Sequence, residues 1–461
     1  MKMKMKMNNH FNTIKAKKDI ILFAASVILL FFSFSYNIFN IGYPELGGIP
    51  SQFESFQSES EALVLGKVDK FVMDGRTNLG GFLYIDERLP AYAPGPYFSQ
   101  VGLQGMIVGT FAPNNKGDLL QYYHIARLFF AFLTALTLSF FVLAVNKEFG
   151  LITAIFLMFS ISYSPWIVFF AKNLYWATPL LFLPFILSWT TYSYFNKKEK
   201  LVYFFVLISL AVFLKALSGY EYITNVAMAA LVPVFYFQIK EGNNLWQTCK
   251  NIVLVGLSGI VGFFLAIAVH VIQLSFNSHS IYNSIMLIFS NAKLRTYDQS
   301  GAGGVYALVE KTSLISILKG YLLRPIVGDS KFLYPEYLDS LNIKLPNLSF
   351  ANSGYLIFSL GGVILLVIIF SFVVFCWWKF TKKYNIKINI LLFAVFASLL
   401  VSFSWATLAK GHMIFHNHFN EIIFCIPFIL LCYLLFGYML QLIISNIIAR
   451  YATFKKKKRI I

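Results

Sequence analysis

The chain has 461 residues, of which 58% are hydrophobic and 13% are charged, whereas soluble domains average roughly 45–50% apolar and about 25% charged residues. This composition excludes a soluble globular protein. A net charge of +18 is typical of proteins that bind nucleic acid, but the same excess also arises when basic residues collect on the cytoplasmic side of a membrane protein. The four cysteines form no Cys-x-x-Cys pair, so we expect neither a disulfide framework nor a zinc ribbon.

Ten segments are apolar enough to cross a bilayer, for which a helix needs about 20 largely apolar residues. They cover residues 20–39, 120–144, 149–166, 176–195, 201–218, 222–239, 251–274, 353–378, 388–408 and 421–445. The first segment follows three lysines and lacks a small-residue cleavage motif, which predicts an uncleaved anchor and a cytoplasmic N-terminus. The sequence therefore predicts an all-α, polytopic integral membrane protein with about ten transmembrane helices.

The excess of positive over negative charge lies on one side of this arrangement. The segments predicted to be cytoplasmic hold 22 Lys and Arg but only four acids, and the rest of the chain holds 16 basic and 16 acidic residues. Such a bias follows the positive-inside rule and places the C-terminus in the cytoplasm as well. We therefore expect the basic segments to face membrane lipid, and we expect no nucleic-acid partner.

Two predicted outer loops are far longer than the few residues that join most helices, and long ordered loops are often functional. The predicted organisation is a basic cytoplasmic tail at 1–19, a transmembrane module at 20–274 with an outer loop at 40–119, a large outer loop at 275–352, C-terminal transmembrane helices at 353–445 and a basic tail at 446–461. Short apolar stretches at 101–110 and 281–290 predict helices that lie in the membrane interface. We place the working face on the outer side.

The first outer loop contains a predicted helix over 57–67 that begins with two acids, Glu59 and Glu61. Acids in a first helical turn can simply complement the helix macrodipole. Alternatively, a carboxylate that is partly desolvated near the bilayer has a raised proton affinity and suits a general base. Glu59 and Glu61 are therefore candidate catalytic residues, and the choice between them stays open.

Basic residues near the predicted outer ends of spans are candidates for phosphate binding. Lys172 lies in a turn with Tyr175, and snorkelling to the interface explains it equally well. Lys215 interrupts an apolar span, where a charge is costly unless it is paired or functional, and Glu221 is the available partner. Arg127 suits bidentate phosphate binding, with interfacial anchoring as the alternative.

The segment before the last span contains Lys410, His412 and His416. His412 and His416 are spaced i, i+4, which is compatible with a metal site, but no H-E-x-x-H signature is present. We therefore expect no metal and favour phosphate or sugar binding by Lys410 and His412, with solvated histidines as the alternative. In the second outer loop, Arg295 and Tyr297 combine a cation with an aromatic ring, which suits carbohydrate or lipid phosphate and equally suits an ordinary loop.

The overall arrangement and four short segments carry a family resemblance. The segments are SESEALVLGK at 58–67, SQVGLQG at 99–105, AKNLYW at 171–176 and KGH at 410–412. With an uncleaved first span and an acid-bearing helix in the first outer loop, the chain resembles the GT-C superfamily of membrane glycosyltransferases, and within it the bacterial and prophage-type, serotype-converting O-antigen glucosyltransferases. The Asp-Glu pair of many members is missing, which leaves the choice of base open.

The resemblance implies an inverting transfer of a hexose, expected to be glucose, from undecaprenyl phosphate to a lipid-linked O-antigen or related surface glycan. The reaction would occur on the periplasmic face of the bacterial inner membrane, with Glu59 or Glu61 as base. The implied donor-phosphate residues are Lys172, Lys215, Arg127, Lys410 and His412, and the implied substrate contacts are Tyr175, Glu221, Arg295, Tyr297 and His416. No cofactor is implied, and a donor synthase and a flippase are expected functional partners.

Two other functions are compatible with the same residues. A transporter or flippase for lipid-linked glycans would also use buried cations, but such proteins often show repeated halves, and we find no internal repeat. A glycan ligase or polymerase would use outer-loop Arg and His residues without an essential early carboxylate.

Overall fold

A computed structural model describes residues 2–42, 50–78, 80–197, 199–296, 313–322, 359–381, 385–416 and 420–458 of the chain. Its helices are α1 Lys2–Tyr36, α2 Ser58–Met73, α3 Leu103–Thr110, α4 Leu119–Phe149, α5 Leu151–Ser162, α6 Pro165–Val168, α7 Thr178–Lys197, α8 Leu201–Ser218, α9 Ile223–Ala229, α10 Leu231–Lys240, α11 Leu245–Ser278, α12 Ile281–Arg295, α13 Leu314–Leu322, α14 Leu360–Thr381, α15 Ile386–Leu408, α16 Lys410–Phe415, α17 Ile422–Phe424 and α18 Leu430–Lys458. A π-helical turn at Cys425–Ile429 joins the last two, and 3₁₀ turns occur at Pro50–Phe53 and Lys116–Asp118.

Apolar helices dominate the described part of the chain. Seven of them are long and apolar enough to cross a bilayer: Ala16–Tyr36, Leu119–Phe149, Leu201–Ser218, Ile223–Lys240, Leu245–Ser278, Ile386–Leu408 and Ile422–Lys455. The prediction of a mostly helical, multi-pass membrane protein is therefore confirmed, whereas the count of ten spans stays a prediction. The three other predicted segments correspond to α5, with 12 residues, to α7 and to α14.

The helices pack into a bundle in which α11 lies along α8, α1 along α4 and α18 along α5. The last candidate span is largely buried, whereas α11 is the most exposed of the seven. Exposed apolar side chains such as Val261, Phe264 and Leu265 follow the outer side of α11. A helix that keeps so many large apolar groups exposed is suited to contact lipid rather than water.

The two ends of the bundle carry different polar groups. Glu148, at the end of α4, pairs with Lys240 at 2.5 Å and Lys387 at 3.3 Å, which joins α4 to α10 and α15. Arg127, in the same helix, lies about 32 Å away at 1.5 Å per residue. We call the end near Arg127, where residues 50–118 lie, the loop end, and the end near Glu148 the opposite end.

The described part of the first long loop is folded. Strands β1 Leu83–Ile85 and β2 Gly95–Tyr97 form an antiparallel hairpin, with Leu83 opposite Tyr97. Helix α2 packs against β1 so closely that a Cβ on Gly66 would lie 2.3 Å from the carbonyl oxygen of Tyr84. Only glycine fits at such a contact, which fixes α2 on the hairpin. The predicted helices at 57–67, 101–110 and 281–290 correspond to α2, α3 and α12, and their position in the interface stays a prediction.

Candidate functional site

The two acids at the start of α2 have different surroundings. Gln57 precedes the helix with a left-handed backbone at φ 54°, so the chain turns sharply into the first helical turn. Glu59 points outward and is exposed, whereas Glu61 is only 3% exposed. The helix therefore buries one of the two predicted bases and leaves the other in solvent.

Glu61 is held by two other parts of the chain. Its Oε2 accepts hydrogen bonds from Nε of Arg127 at 3.0 Å and from Nη2 of the same guanidinium at 2.5 Å. Its Oε1 accepts from the backbone N–H of Leu174 at 3.1 Å. Because both carboxylate oxygens are engaged, Glu61 ties α2 to α4 and to the segment between α6 and α7.

Lys172 lies beside this pair and contacts a third acid. Its Nζ is 2.7 Å from Oε1 of Glu54 and 3.8 Å from the centre of the Phe53 ring. The Lys172 side chain is 9% exposed, but that of Glu54 is 68% exposed. Burial lowers the pKa of Lys172, and the neighbouring Glu54 carboxylate opposes this shift. A buried cation here is thus paired with a carboxylate that solvent can reach.

Asn173 holds the turn that carries Lys172. Its Nδ2 donates to the carbonyl of Phe56 at 3.1 Å, and its Oδ1 accepts from the backbone N–H of Tyr175 at 3.0 Å. The turn is therefore fixed on the residues that lead into α2. Four side chains that meet here, Glu54, Glu61, Arg127 and Lys172, form what we call the loop-end cluster.

Further sequence-predicted residues lie in an adjoining buried layer. Tyr175 donates from its hydroxyl to Oε1 of Glu221 at 3.0 Å, and the Gln104 amide donates to the Tyr175 carbonyl at 3.0 Å. Lys215 donates to the carbonyl of Gly219 at 2.7 Å and is 2% exposed. Glu221 is also buried, so this layer places a second cation and a second carboxylate in the protein interior.

An aromatic path leads from this layer to the histidine segment. Trp176 stacks on Tyr222 with ring centres 5.5 Å apart, and the Tyr222 ring meets His412 edge-on at 5.7 Å. His412 is buried and lies 4.6 Å from the ring of His416, which is exposed. The fold thus brings the predicted histidines close to the turn at 171–176, although Trp176 and His412 are 236 positions apart in the sequence.

The remaining predicted residues are less well placed. Lys410 begins α16 and is half-buried. The backbone N–H of Gly411 donates to the carbonyl of Thr296 at 3.0 Å, so the end of α12 meets α16. Arg295 is the last residue of α12, but its side chain lies outside the described part, as does all of Tyr297. Their assignment to substrate binding stays a prediction.

The structure adds polar residues that sequence patterns did not reveal. Glu54 precedes α2 in an irregular stretch, so no periodicity marks it. Asp69, two turns after Glu61, accepts hydrogen bonds from the hydroxyl of Tyr123 and from Arg88. Burial lowers the pKa of the Arg88 guanidinium, but contacts with Asp86 and Asp69 outweigh it and raise the pKa. The sequence signal that could have indicated Asp69 is the presence of further acids, Glu59 and Glu61, in the same helix.

Within the described ranges, no group of three or more His, Cys, Asp or Glu side chains is placed to hold a metal ion. The expectation that the protein uses no cofactor stays a prediction. Comparison of the chain with models of known families, with curated proteins and with solved structures gives no match.

Proposed function

We propose that the protein is a membrane glycosyltransferase of the GT-C type. It transfers a hexose, in the simplest case glucose, from a polyprenyl phosphate carrier such as undecaprenyl phosphate to a lipid-linked O-antigen or related glycan. The enzyme works on the periplasmic face of a bacterial inner membrane, with about ten spans and both termini in the cytoplasm. A synthase supplies the donor lipid and a flippase delivers it.

The observation that carries this proposal is the pairing of buried Lys172 with exposed Glu54, next to Arg127. Transfer from a lipid phosphate requires a base for the acceptor hydroxyl and cations for the departing phosphate. A cluster that combines reachable carboxylate with two cations, at the end of a lipid-embedded bundle, meets both requirements. Lys215, Lys410 and His412 are the further residues of the proposed donor site.

In the proposed reaction, a carboxylate removes the proton of the acceptor hydroxyl, and the resulting oxygen attacks the anomeric carbon. The bond between that carbon and the phosphate oxygen breaks, and the phosphate leaves with its negative charge stabilised by Lys172 and Arg127. One displacement inverts the configuration of the sugar carbon. Tyr175, Glu221 and His416 are the described residues proposed to contact the substrates.

The three carboxylates take different parts in this scheme. Glu59 and Glu54 are exposed and are the better candidates for the base. Glu61 already accepts hydrogen bonds on both oxygens, which suits it to orient Arg127 and the turn at 171–176 rather than to move a proton. We therefore propose Glu61 as a positioning residue, with the base at Glu59 or Glu54.

Single Gln substitutions test this division. Sugar transfer from a polyprenyl phosphate hexose is measured in membranes for Glu54→Gln, Glu59→Gln and Glu61→Gln. We expect one of the first two changes to lower kcat by about 100-fold or more, since a positioned base contributes about 10²–10⁴-fold. Asp74→Asn is the control, because Asp74 lies in the same loop and forms an exposed pair with Lys70. Full activity in both Glu54→Gln and Glu59→Gln would contradict the assignment.

A further inference from the structure

An open pocket of about 400 Å³ lies at the loop end, between α11 and the loop that follows α2. One wall is formed by Asn78, Gly80 and Gly81, and the facing wall by Ile272, Gln273 and Phe276 of α11. The pocket thus lies where a helix with exposed apolar side chains meets the loop that follows α2. Phe82, Val101 and Met106 complete a mostly apolar lining, and its polar groups are few.

The wall formed by α11 is continuous with an apolar surface. Ile272 and Phe276 are 56% and 77% exposed. The exposed side of α11 continues away from the pocket through Phe264 and Leu265. A hydrocarbon chain that leaves the pocket along α11 would therefore remain in contact with apolar side chains, and contact with such a surface is favourable at about 25 cal/mol per Å².

One polar side chain on the α11 wall, Gln273, has hydrogen-bonding capacity that the described residues do not use. Gln273 donates from Nε2 to the carbonyl of Gly80 at 2.8 Å and to that of Val101 at 3.2 Å. Its Oε1 is buried and accepts no hydrogen bond from the described residues. A buried acceptor without a donor costs free energy. A ligand that carries a hydroxyl group would supply the missing hydrogen bond to Oε1 of Gln273.

Lys67 lies directly behind the wall that Asn78, Gly80 and Gly81 form. It is 3% exposed, and its ammonium donates to the carbonyl oxygen of Gly81, which lines the pocket. The aliphatic part of Lys67 packs near Gly105, where an added Cβ would lie 3.0 Å from its Cδ. No acidic side chain among the described residues forms an ion pair with it.

An unpaired buried charge is expensive. Burial lowers the pKa of Lys67 to about 8, so the side chain is still mainly protonated at neutral pH. Lys67 follows Glu61 by six residues, about 240° around the helix. Its positive charge is therefore directed away from the Glu61 side of α2, and its contact with Gly81 places it next to this pocket rather than in the loop-end cluster.

We propose that the pocket binds the phosphate-bearing head group of an anionic bilayer phospholipid, with its acyl chain lying against the exposed side of α11. The phosphate lies against the wall backed by Lys67, and a head-group hydroxyl donates to Gln273. The charge of the lipid compensates the buried ammonium. This inference does not depend on the proposed glycosyltransferase activity, since it involves the other side of α2.

Lipid retention by the purified protein tests the proposal. Delipidated protein in detergent is titrated with phosphatidylglycerol, diacylglycerol or inorganic phosphate, and bound lipid is counted by native mass spectrometry. We expect one phosphatidylglycerol to bind preferentially, and Lys67→Met to weaken its binding by about tenfold or more, because the buried positive charge behind the phosphate is lost. Lys70→Met is the matched control, since Lys70 lies one turn further along α2 and is exposed and paired with Asp74.

Three results would overturn the proposal: unchanged phosphatidylglycerol binding in Lys67→Met, equally tight binding of diacylglycerol, or displacement of the lipid by inorganic phosphate at similar concentration. A second variant, Gln273→Leu, keeps the test independent of α2, and we expect it to weaken phosphatidylglycerol binding as well. Folding is checked in the same samples. Lys67→Met should raise the melting temperature in lipid-free detergent, because it removes an unpaired buried charge, whereas a lysine with a purely structural role would lower the melting temperature when replaced.

Discussion

Two charged residues of α2, Glu61 and Lys67, are both buried but differ in how their charges are compensated. Glu61 accepts hydrogen bonds from Arg127 and from the Leu174 backbone, whereas the Lys67 ammonium donates to the Gly81 carbonyl and forms no ion pair with an acid of the described residues. The sequence marked Glu61 through its place in the first helical turn. It did not mark Lys67, since a lysine in the middle of an amphipathic helix is usually solvated, and its burial follows from the hairpin and α3 that cover it.

The unpaired state of Lys67 predicts a pH dependence of stability. Its pKa in the folded protein is about 8, against 10.5 for an ordinary lysine. Between these values the unfolded chain binds more protons than the folded one, so the free energy of unfolding rises with pH. The destabilisation caused by Lys67 is fully present below about pH 8 and is relieved as the pH approaches 10.5.

Melting temperatures in lipid-free detergent at pH 7, 8, 9 and about 9.5 check this for wild type and Lys67→Met. We expect the variant to be more stable at pH 7 and the difference to shrink as the pH rises. A difference that stays constant across the range would show that Lys67 is paired or solvated. Lys70→Met provides the comparison, because the Asp74 hydrogen bond raises the pKa of Lys70 and no such narrowing is expected.

At the scale of elements, hydropathy predicted where helices lie, because apolar runs must be helical in a bilayer. It did not predict the break between α9 and α10 at Ala230, nor the three-residue strands β1 and β2, which are too short for a periodic pattern. Contacts between helices were also invisible in the sequence. The close packing of α11 on α8 depends on which glycine of α11 faces its neighbour, and several glycines are available.

Two of these glycines give a prediction with its own control. A Cβ on Gly262 would lie 2.2 Å from the carbonyl oxygen of Ser209 in α8, whereas a Cβ on Gly256 would meet nothing within 4 Å. Small residues let helix backbones approach closely in membranes. Gly262→Ala should therefore separate α8 from α11 and lower the melting temperature by several degrees, as expected for about 1–3 kcal/mol of overpacking.

Gly256→Ala, in the same helix, should leave the melting temperature unchanged or slightly raised, because alanine favours helix more than glycine does. Both variants are compared in the same detergent at the same protein concentration. Equal effects of the two substitutions would mean that α8 and α11 do not pack as described.

At the scale of the whole molecule, the bundle separates two polar regions. Glu148 joins α4, α10 and α15 at the opposite end, and the loop-end cluster joins α2 to α4 and to the turn at 171–176. Sequence patterns indicated Glu61, Arg127 and Lys172 as separate candidates, but they did not predict which of these residues contact one another. Glu54 and Lys172 are 118 positions apart, and only the folded chain shows which carboxylate contacts which cation.

The central claim is that sugar is transferred at the loop end, and one assay tests it most directly. Purified protein is reconstituted in liposomes with a polyprenyl phosphate carrying a radiolabelled hexose and with a lipid-linked glycan acceptor. We predict that the label moves to the acceptor and that Lys172→Met lowers the rate by about tenfold or more, as loss of a cation that stabilises the leaving phosphate should. Lys70→Met should transfer at the wild-type rate. The account is contradicted if the label stays on its original lipid while that lipid crosses the bilayer.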